Sequence, residues 1–422
     1  MGQQKKVLIL GCNFAGLGAA QKIREYAGYQ VDITCVDQKS YLDFTPNIPS
    51  EALHGRDPAV TMHMPIVKTL KEEGIQFVQG EVKKIHVEDR RVAIQPSERP
   101  GSPQYDMTYD YLVVALGTRL AFDDIKGFAE YGHAVSDAFH TNRLMNYLSR
   151  EYKGGPIAIG SARFQQGQKG KPDWLPTASA VCEGPAVEFS LSLAHWLEKN
   201  HKGGAQNITL FTPAKMIAED AGEKVVTQLL KTVSSRGLRY KNNMEDIDFI
   251  DQDGIQFKNG EYIAAELKVV FPNWKPHIFM KGLPISDELG FVVTDLRMRN
   301  PDHPEVFACG DAAAITVPKL ESIGHQECEV VGKQIAADIG VISIQEANKK
   351  WMPEVVYLGD MGDGKAFYIH SSSWFGGDKE IFKIGHLNHD FKWAYQKMFF
   401  QTGGKIPSWG YPTFQWMTEK AL

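Results

Sequence analysis

Four apolar residues in a row, Val7-Leu8-Ile9-Leu10, follow a charged start and read as a strand buried on both faces, the habit of a parallel sheet. A turn rich in glycine comes next (Gly11-Cys12-Asn13-Phe14-Ala15-Gly16-Leu17-Gly18), then a helical pattern to about Tyr26. Val31-Asp32-Ile33-Thr34-Cys35-Val36 is a second strand, and it ends in Asp37. Strand, glycine turn, helix, strand and terminal acid in that order predict a dinucleotide-binding unit. Its helix N-terminus holds a pyrophosphate, and its acid accepts a bond from a ribose hydroxyl. The candidate contacts are Gly11, Asn13, Phe14, Ala15, Gly16 and Asp37. Asn13 stands where the usual pattern has its middle glycine, and Asn tolerates a left-handed backbone better than most residues. Cys12 and Cys35 read as packing residues.

Two later strands end in small residues: Tyr111-Leu112-Val113-Val114, running into Gly117-Thr118, and Glu305-Val306-Phe307-Ala308-Cys309, running into Gly310-Asp311. With the first unit, they make the chain resemble flavoproteins with two dinucleotide domains, the disulfide-reductase-like group that binds FAD. The resemblance implies that Gly117, Gly310 and Asp311 contact the flavin nucleotide and that Cys309 is packing.

A second strand–turn unit starts at Pro156-Ile157-Ala158-Ile159-Gly160 and continues at Ile208-Thr209-Leu210-Phe211. It lacks the glycine fingerprint, and its second strand ends in Thr212-Pro213-Ala214 with no carboxylate for a ribose, which counts against a nicotinamide site. A polar loop, Phe164 to Pro176, leads to Ala180-Val181-Cys182-Glu183-Gly184-Pro185 and a helix expected over 186–199. Pro185 fits a first helical turn. Cys182 then sits just before a helix N-terminus, where the dipole favours a thiolate nucleophile; the alternative is a buried cysteine acting as a small apolar residue.

The expected fold class is α/β. A discontinuous FAD-binding domain spans 1–122 and 292–345, a second Rossmann-like domain spans 123–291, and an amphipathic region spans 346–422. In that last part Phe391, Ala394, Tyr395, Met398 and Phe399 share a helix face, and 406–417 is aromatic-rich. Such a face suits either a bilayer surface or packing within the domain or a homodimer.

Composition narrows the classes. At 422 residues more than one core is expected. A net charge of -5 and the absence of a basic tract argue against nucleic acid. No apolar run reaches the roughly 18 residues of a spanning helix, and the N-terminus lacks a signal-peptide layout. Five cysteines without a Cys-x-x-Cys pair suggest neither a disulfide framework nor a metal site. Chain features alone point to the cytoplasm.

Cys182-Glu183-Gly184-Pro185 with Glu188, Phe44-Thr45-Pro46-Asn47-Ile48-Pro49, Thr316-Val317-Pro318-Lys319 and Gly359-Asp360-Met361-Gly362-Asp363 together resemble the sulfide:quinone oxidoreductases. The loop Phe164-Gln165-Gln166-Gly167 is most like the archaeal members. The resemblance implies sulfide oxidation at FAD, electrons passed to membrane quinone, and a peripheral, monotopic place on the cytoplasmic side of a membrane, with room for a homo-oligomer. It implies that Cys182 attacks the flavin or holds a persulfide, and that Glu188 carries a proton. Pro46 becomes a cofactor contact, and Lys319 begins a helix aimed at the flavin. Trp374-Phe375-Gly376-Gly377 is expected near the quinone.

Two of the family's three working cysteines are replaced, one by Ser136 and one by Tyr357. A serine cannot form the thioether that tethers flavin, so FAD is expected to be non-covalent. Cys328, at helical spacing from Glu321 and His325, is on the order of 13 Å along the axis from Lys319 and is expected to pack instead. The alternatives are a type II NADH:quinone dehydrogenase and a flavin-binding homologue without sulfide turnover.

Overall fold

The computed structural model describes residues 4–99, 101–407 and 410–420. Its largest sheet has seven strands in the order Val306–Ala308, Tyr111–Val114, Lys5–Leu10, Val31–Asp37, Gln76–His86, Arg91–Pro96 and Tyr105–Thr108. The first five run parallel, with Val7 opposite Ile33 on one side and Tyr111 on the other. Val7 through Leu10 are fully buried, as a strand sandwiched between two layers requires.

The helix Phe14–Ala27 leaves the glycine turn and packs against the helix Glu321–Asp338. Small residues let them approach closely. A Cβ on Gly18 would lie 3.0 Å from the Cys328 sulfur, and one on Gly332 would lie 2.8 Å from the Lys22 backbone. At the turn itself Gly11 has φ +89°, and a Cβ there would meet the Ala115 carbonyl oxygen at 2.2 Å. Only glycine fits that crossing.

A second parallel sheet orders Gly132–His133, Leu267–Phe271, Ile157–Ser161, Ile208–Phe211 and Arg239–Lys241. The helix Gly184–Lys199 follows its central strand, beginning two residues before the expected start, with Pro185 in its first turn. The C-terminal region is more than an amphipathic segment. It holds a three-stranded antiparallel sheet, Val355–Asp360, Ala366–Ser371 and Glu380–Gly385, and two helices, His386–Gln401 and Gly410–Lys420.

The aromatic face of the helix His386–Gln401 is partly covered. Phe399 is buried, 5.4 Å from both Phe14 and Phe44 of the dinucleotide unit, while Phe391, Tyr395 and Met398 are half-buried and Ala394 is exposed. Of the aromatic stretch 406–417, Ser408 and Trp409 lie outside the described residues. Among the described residues no helix is long and apolar enough to cross a membrane.

Candidate active site

The strand ends of the first sheet, the start of the Cys182 helix and the two C-terminal helices enclose a cavity of about 1010 Å³. Gly11, Asn13, Phe14, Ala15, Asp37, Pro46, Gly117, Gly310, Asp311, Lys319, Cys182 and Glu188 all line it. Gly16 does not. Its place is structural, since a Cβ there would sit 1.9 Å from the Gly11 carbonyl oxygen and force helix and turn apart.

The dinucleotide end is braced by backbone donors and a buried acid. Asp37 accepts from the Cys12 N–H at 2.7 Å and the Lys39 N–H at 2.9 Å. Glu327 holds the Gly-Asp turn by accepting from the Gly310 N–H at 2.7 Å and from the Thr316 hydroxyl. Burial raises the Glu327 carboxyl to about 8. Cys309 and Cys328 are buried, and both thiols reach the Ala15 carbonyl, at 3.7 and 3.0 Å, which gives them the packing role expected.

These residues fit a dinucleotide. The glycine turn presents its backbone to the cavity beside Asp37, and two buried polar atoms on the wall, Asn13 Oδ1 and Ser136 Oγ, have no hydrogen-bond partner among the described residues. Buried polar atoms are ordinarily satisfied, so a ligand with donors and acceptors answers them.

Lys319 is a buried wall residue rather than the first residue of a helix. Its ammonium donates to the Ala313 carbonyl at 2.9 Å and lies 4.4 Å from the Phe291 ring centroid. Burial lowers it to about 8, opposed by Asp311.

Cys182 lines the cavity two residues before its helix, but the thiolate expected from the helix dipole is not favoured. Burial pushes the thiol well up, and Asp220 adds to this; the Gly184 N–H works the other way and offsets only part. The dipole effect is worth about 0.3–1 kcal/mol near a surface, less than removing a thiolate from water costs here.

Glu188 is the centre of a buried polar cluster. Its Oε2 accepts from the Tyr357 hydroxyl at 2.5 Å, and its Oε1 from Ser50 at 3.1 Å and Lys392 at 3.0 Å. Burial raises the Glu188 carboxyl, and Lys392 and Tyr357 pull it back. The Tyr357 ring covers Gly184, where a Cβ would lie 3.0 Å away. Lys392 and Ser50 were invisible to the motif reading. Lys392 carried one signal, a cation beside Phe391 on the aromatic helix.

The second frame carries a buried carboxyl side chain at the helix start where a pyrophosphate would need open backbone N–H donors. Glu183 caps the helix start, buried, with Oε2 accepting from the Ala218 N–H at 2.9 Å and Oε1 unpartnered among the described residues. Burial raises Glu183 to about 8 and Asp220 to about 7. Trp374 and Phe375, expected near a quinone, are core residues of a short turn and do not line the cavity. No group of His, Cys, Asp and Glu among the described residues is arranged to hold a metal.

The family described as pyridine nucleotide-disulphide oxidoreductase matches residues 5–328. The chain belongs to that family. Membership implies a flavin cofactor, FAD. The resemblance to sulfide:quinone oxidoreductases holds along the length: the sulfide-quinone reductase of Aquifex aeolicus is 23% identical over 421 residues, covering 94% of this chain and 90% of that one. The crystal structure of the Aquifex aeolicus sulfide:quinone oxidoreductase superposes with a TM-score of 0.80 at 21% identity, over 97% of this chain and 95% of that one. A type II NADH:quinone oxidoreductase of Staphylococcus haemolyticus is 22% identical, over 79% of this chain and 82% of that one. The fold is therefore the two-domain α/β flavoprotein read from the sequence.

Proposed function

We propose that this flavoprotein is an oxidoreductase of the sulfide:quinone type, with Cys182 handling sulfur and a membrane quinone accepting the electrons. The observation that carries the reading is one cavity lined by the dinucleotide turn, by Cys182 and by the Glu188–Tyr357–Lys392 cluster. Bound FAD would supply the two-electron chemistry between the two ends. Gly11, Asn13, Phe14, Ala15 and Asp37 would hold its nucleotide, with Pro46, Gly117, Gly310, Asp311 and Lys319 around the remainder.

The protein's own groups manage protons and access. Burial raises Glu188, while Lys392 and Tyr357 favour its ionised form, so the carboxyl is placed to exchange a proton with the cavity and its charged state is balanced by Lys392. Lys319, at about 8, offers a proton or a charge beside Asp311. Phe391, Tyr395 and Met398 of the helix His386–Gln401 line the cavity with apolar surface. FAD is held without a covalent link, because Ser136 occupies the position that would form it. The protein sits peripherally on the cytoplasmic side of a membrane.

The rival dehydrogenase reading needs NADH at the second frame. The helix start of that frame is occupied by the buried Glu183 side chain, whose Oε2 accepts from the Ala218 N–H at 2.9 Å, rather than by a glycine turn open to a pyrophosphate. A flavin-binding homologue without sulfide turnover is favoured by one fact, the loss of both partner cysteines. Anaerobic titration of the oxidised flavin with sulfide, and separately with NADH, tests all three. Bleaching by sulfide that disappears in Cys182→Ala supports the proposal. Bleaching by NADH alone, or by neither, sinks it in favour of the corresponding rival.

A further inference from the structure

His370, at the end of the strand Ala366–Ser371, is only 2% exposed and stands between two carboxylates. Its Nε2 lies 2.8 Å from Glu354 Oε2, and its Nδ1 contacts Glu419 Oε1 on the helix Gly410–Lys420. The Tyr368 hydroxyl donates to the same Glu419 oxygen at 2.9 Å. Lys379 closes the cluster, with Nζ 2.8 Å from Glu354 Oε1 and 3.2 Å from His370 Nε2. Two carboxylates, one ammonium and one imidazole ring thus meet in a single buried cluster. The partners hold Glu354 down to about 2, His370 contributing most.

Either protonation state of the ring keeps Nδ1–H available to Glu419, because Nε2 can donate to Glu354 or accept from Lys379.

The helix fastened in this way is part of the wall of the cavity that holds Cys182 and Glu188. Thr413, Phe414 and Met417 face the cavity, and Phe414 stands edge-on to Phe391 at 4.8 Å and to Tyr368 at 5.7 Å. Trp416, on another side of the helix, is 63% exposed. The approach to the helix contains Gly403 at φ +63° and Gly404 at φ +87°, with the Gly403 carbonyl held by Gln21 at 2.9 Å. These glycines are buried and close the helix His386–Gln401, the Gly404 N–H donating to the Phe399 carbonyl at 2.8 Å, so the chain before the helix Gly410–Lys420 is anchored there and the buried ionic clasp fastens that helix at its far end.

We propose that His370 is a positioning residue for the cavity, acting through Glu419 to pin the helix Gly410–Lys420 and its Phe414 and Met417 over the opening. Access for an apolar acceptor then depends on the clasp. Glu354, Glu419, Lys379 and Tyr368 are the groups that face the ring. The part of this that concerns an acceptor rests on the quinone reading; the clasp does not.

The test is amide hydrogen exchange of the holoprotein by mass spectrometry, comparing peptides from 410–420 with peptides from the helix Glu321–Asp338. His370→Leu and Glu419→Gln are expected to speed exchange in 410–420 by about tenfold while the reference helix is unchanged. His370→Asn, which keeps an amide donor near Nδ1, should restore most of the protection. With a short-chain quinone as acceptor, His370→Leu should change KM more than kcat. Unchanged exchange in 410–420, or equal loosening of both regions, would overturn the proposal whether or not the protein turns over sulfide.

Discussion

The Tyr357 hydroxyl binds Glu188 Oε2 at 2.5 Å, while Lys392 approaches the other carboxylate oxygen to 3.0 Å. Three segments remote in sequence thus share one buried proton site. The phenol bond favours the ionised carboxylate. Tyr357→Phe should therefore raise the Glu188 carboxyl further and cost about 1.5–3 kcal/mol of stability. The protonated-carboxyl infrared band should persist to higher pH in Tyr357→Phe and be missing in Glu188→Gln. A band that titrates as in the wild type would show that the phenol does not set this site.

Lys392→Met leaves Glu188 buried without its cation. A carboxyl raised in the folded state above its unfolded value gives its full stability at acid pH and loses it as pH rises. The deficit of Lys392→Met should thus be small near pH 5 and grow toward about 3–5 kcal/mol at higher pH. Urea unfolding midpoints at several pH values measure this, and a deficit that shrinks as pH rises would contradict it.

Gly184 faces the ring of Tyr357, which itself stacks on Phe367 with centroids 5.9 Å apart. The added methyl of Gly184→Ala cannot be accommodated by a ring already backed by another. A loss of about 1–3 kcal/mol is expected. In the background of Tyr357→Ala the same change should cost much less, since the clash is gone. Equal costs in both backgrounds would place the strain elsewhere.

Cys182 should react slowly with iodoacetamide at neutral pH, because burial and Asp220 both disfavour its thiolate. Asp220→Asn removes one of those influences and should shift the pH profile of alkylation toward lower pH, read by peptide mass. In Tyr357→Cys, mild oxidation should remove two titratable thiols from the denatured protein, by pairing with Cys182. Oxidation without thiol loss would mean that the two positions are out of reach.

The first dinucleotide unit was legible because it is local. Strand, turn, helix and acid lie within Lys5–Asp37, and each is demanded by its own neighbours. The aromatic stripe on the helix His386–Gln401 was legible as a face, but a pattern of Phe391, Ala394, Tyr395 and Met398 fits lipid as well as a cavity wall. What covers a face is decided by distant segments, here by Phe14 and Phe44. The charge of Cys182 failed for the same reason. Its place before a helix can be read locally, whereas the burial that chiefly disfavours the thiolate, and Asp220 that adds to it, come from distant segments. The sheet Val355–Gly385 was missed because its middle strand, Ala366–Ser371, is buried at every position and shows no alternation.

The strand Val306–Ala308 lies beside Tyr111–Val114, yet the whole second sheet is synthesised between them. A nascent chain emerging from the ribosome therefore carries an uncovered edge of Tyr-Leu-Val-Val until some two hundred residues more have been made, an arrangement that invites pairing with another chain. Fragments ending before residue 306 should aggregate rather than fold, and the Gly310–Asp311 side of the cavity is completed only late in synthesis.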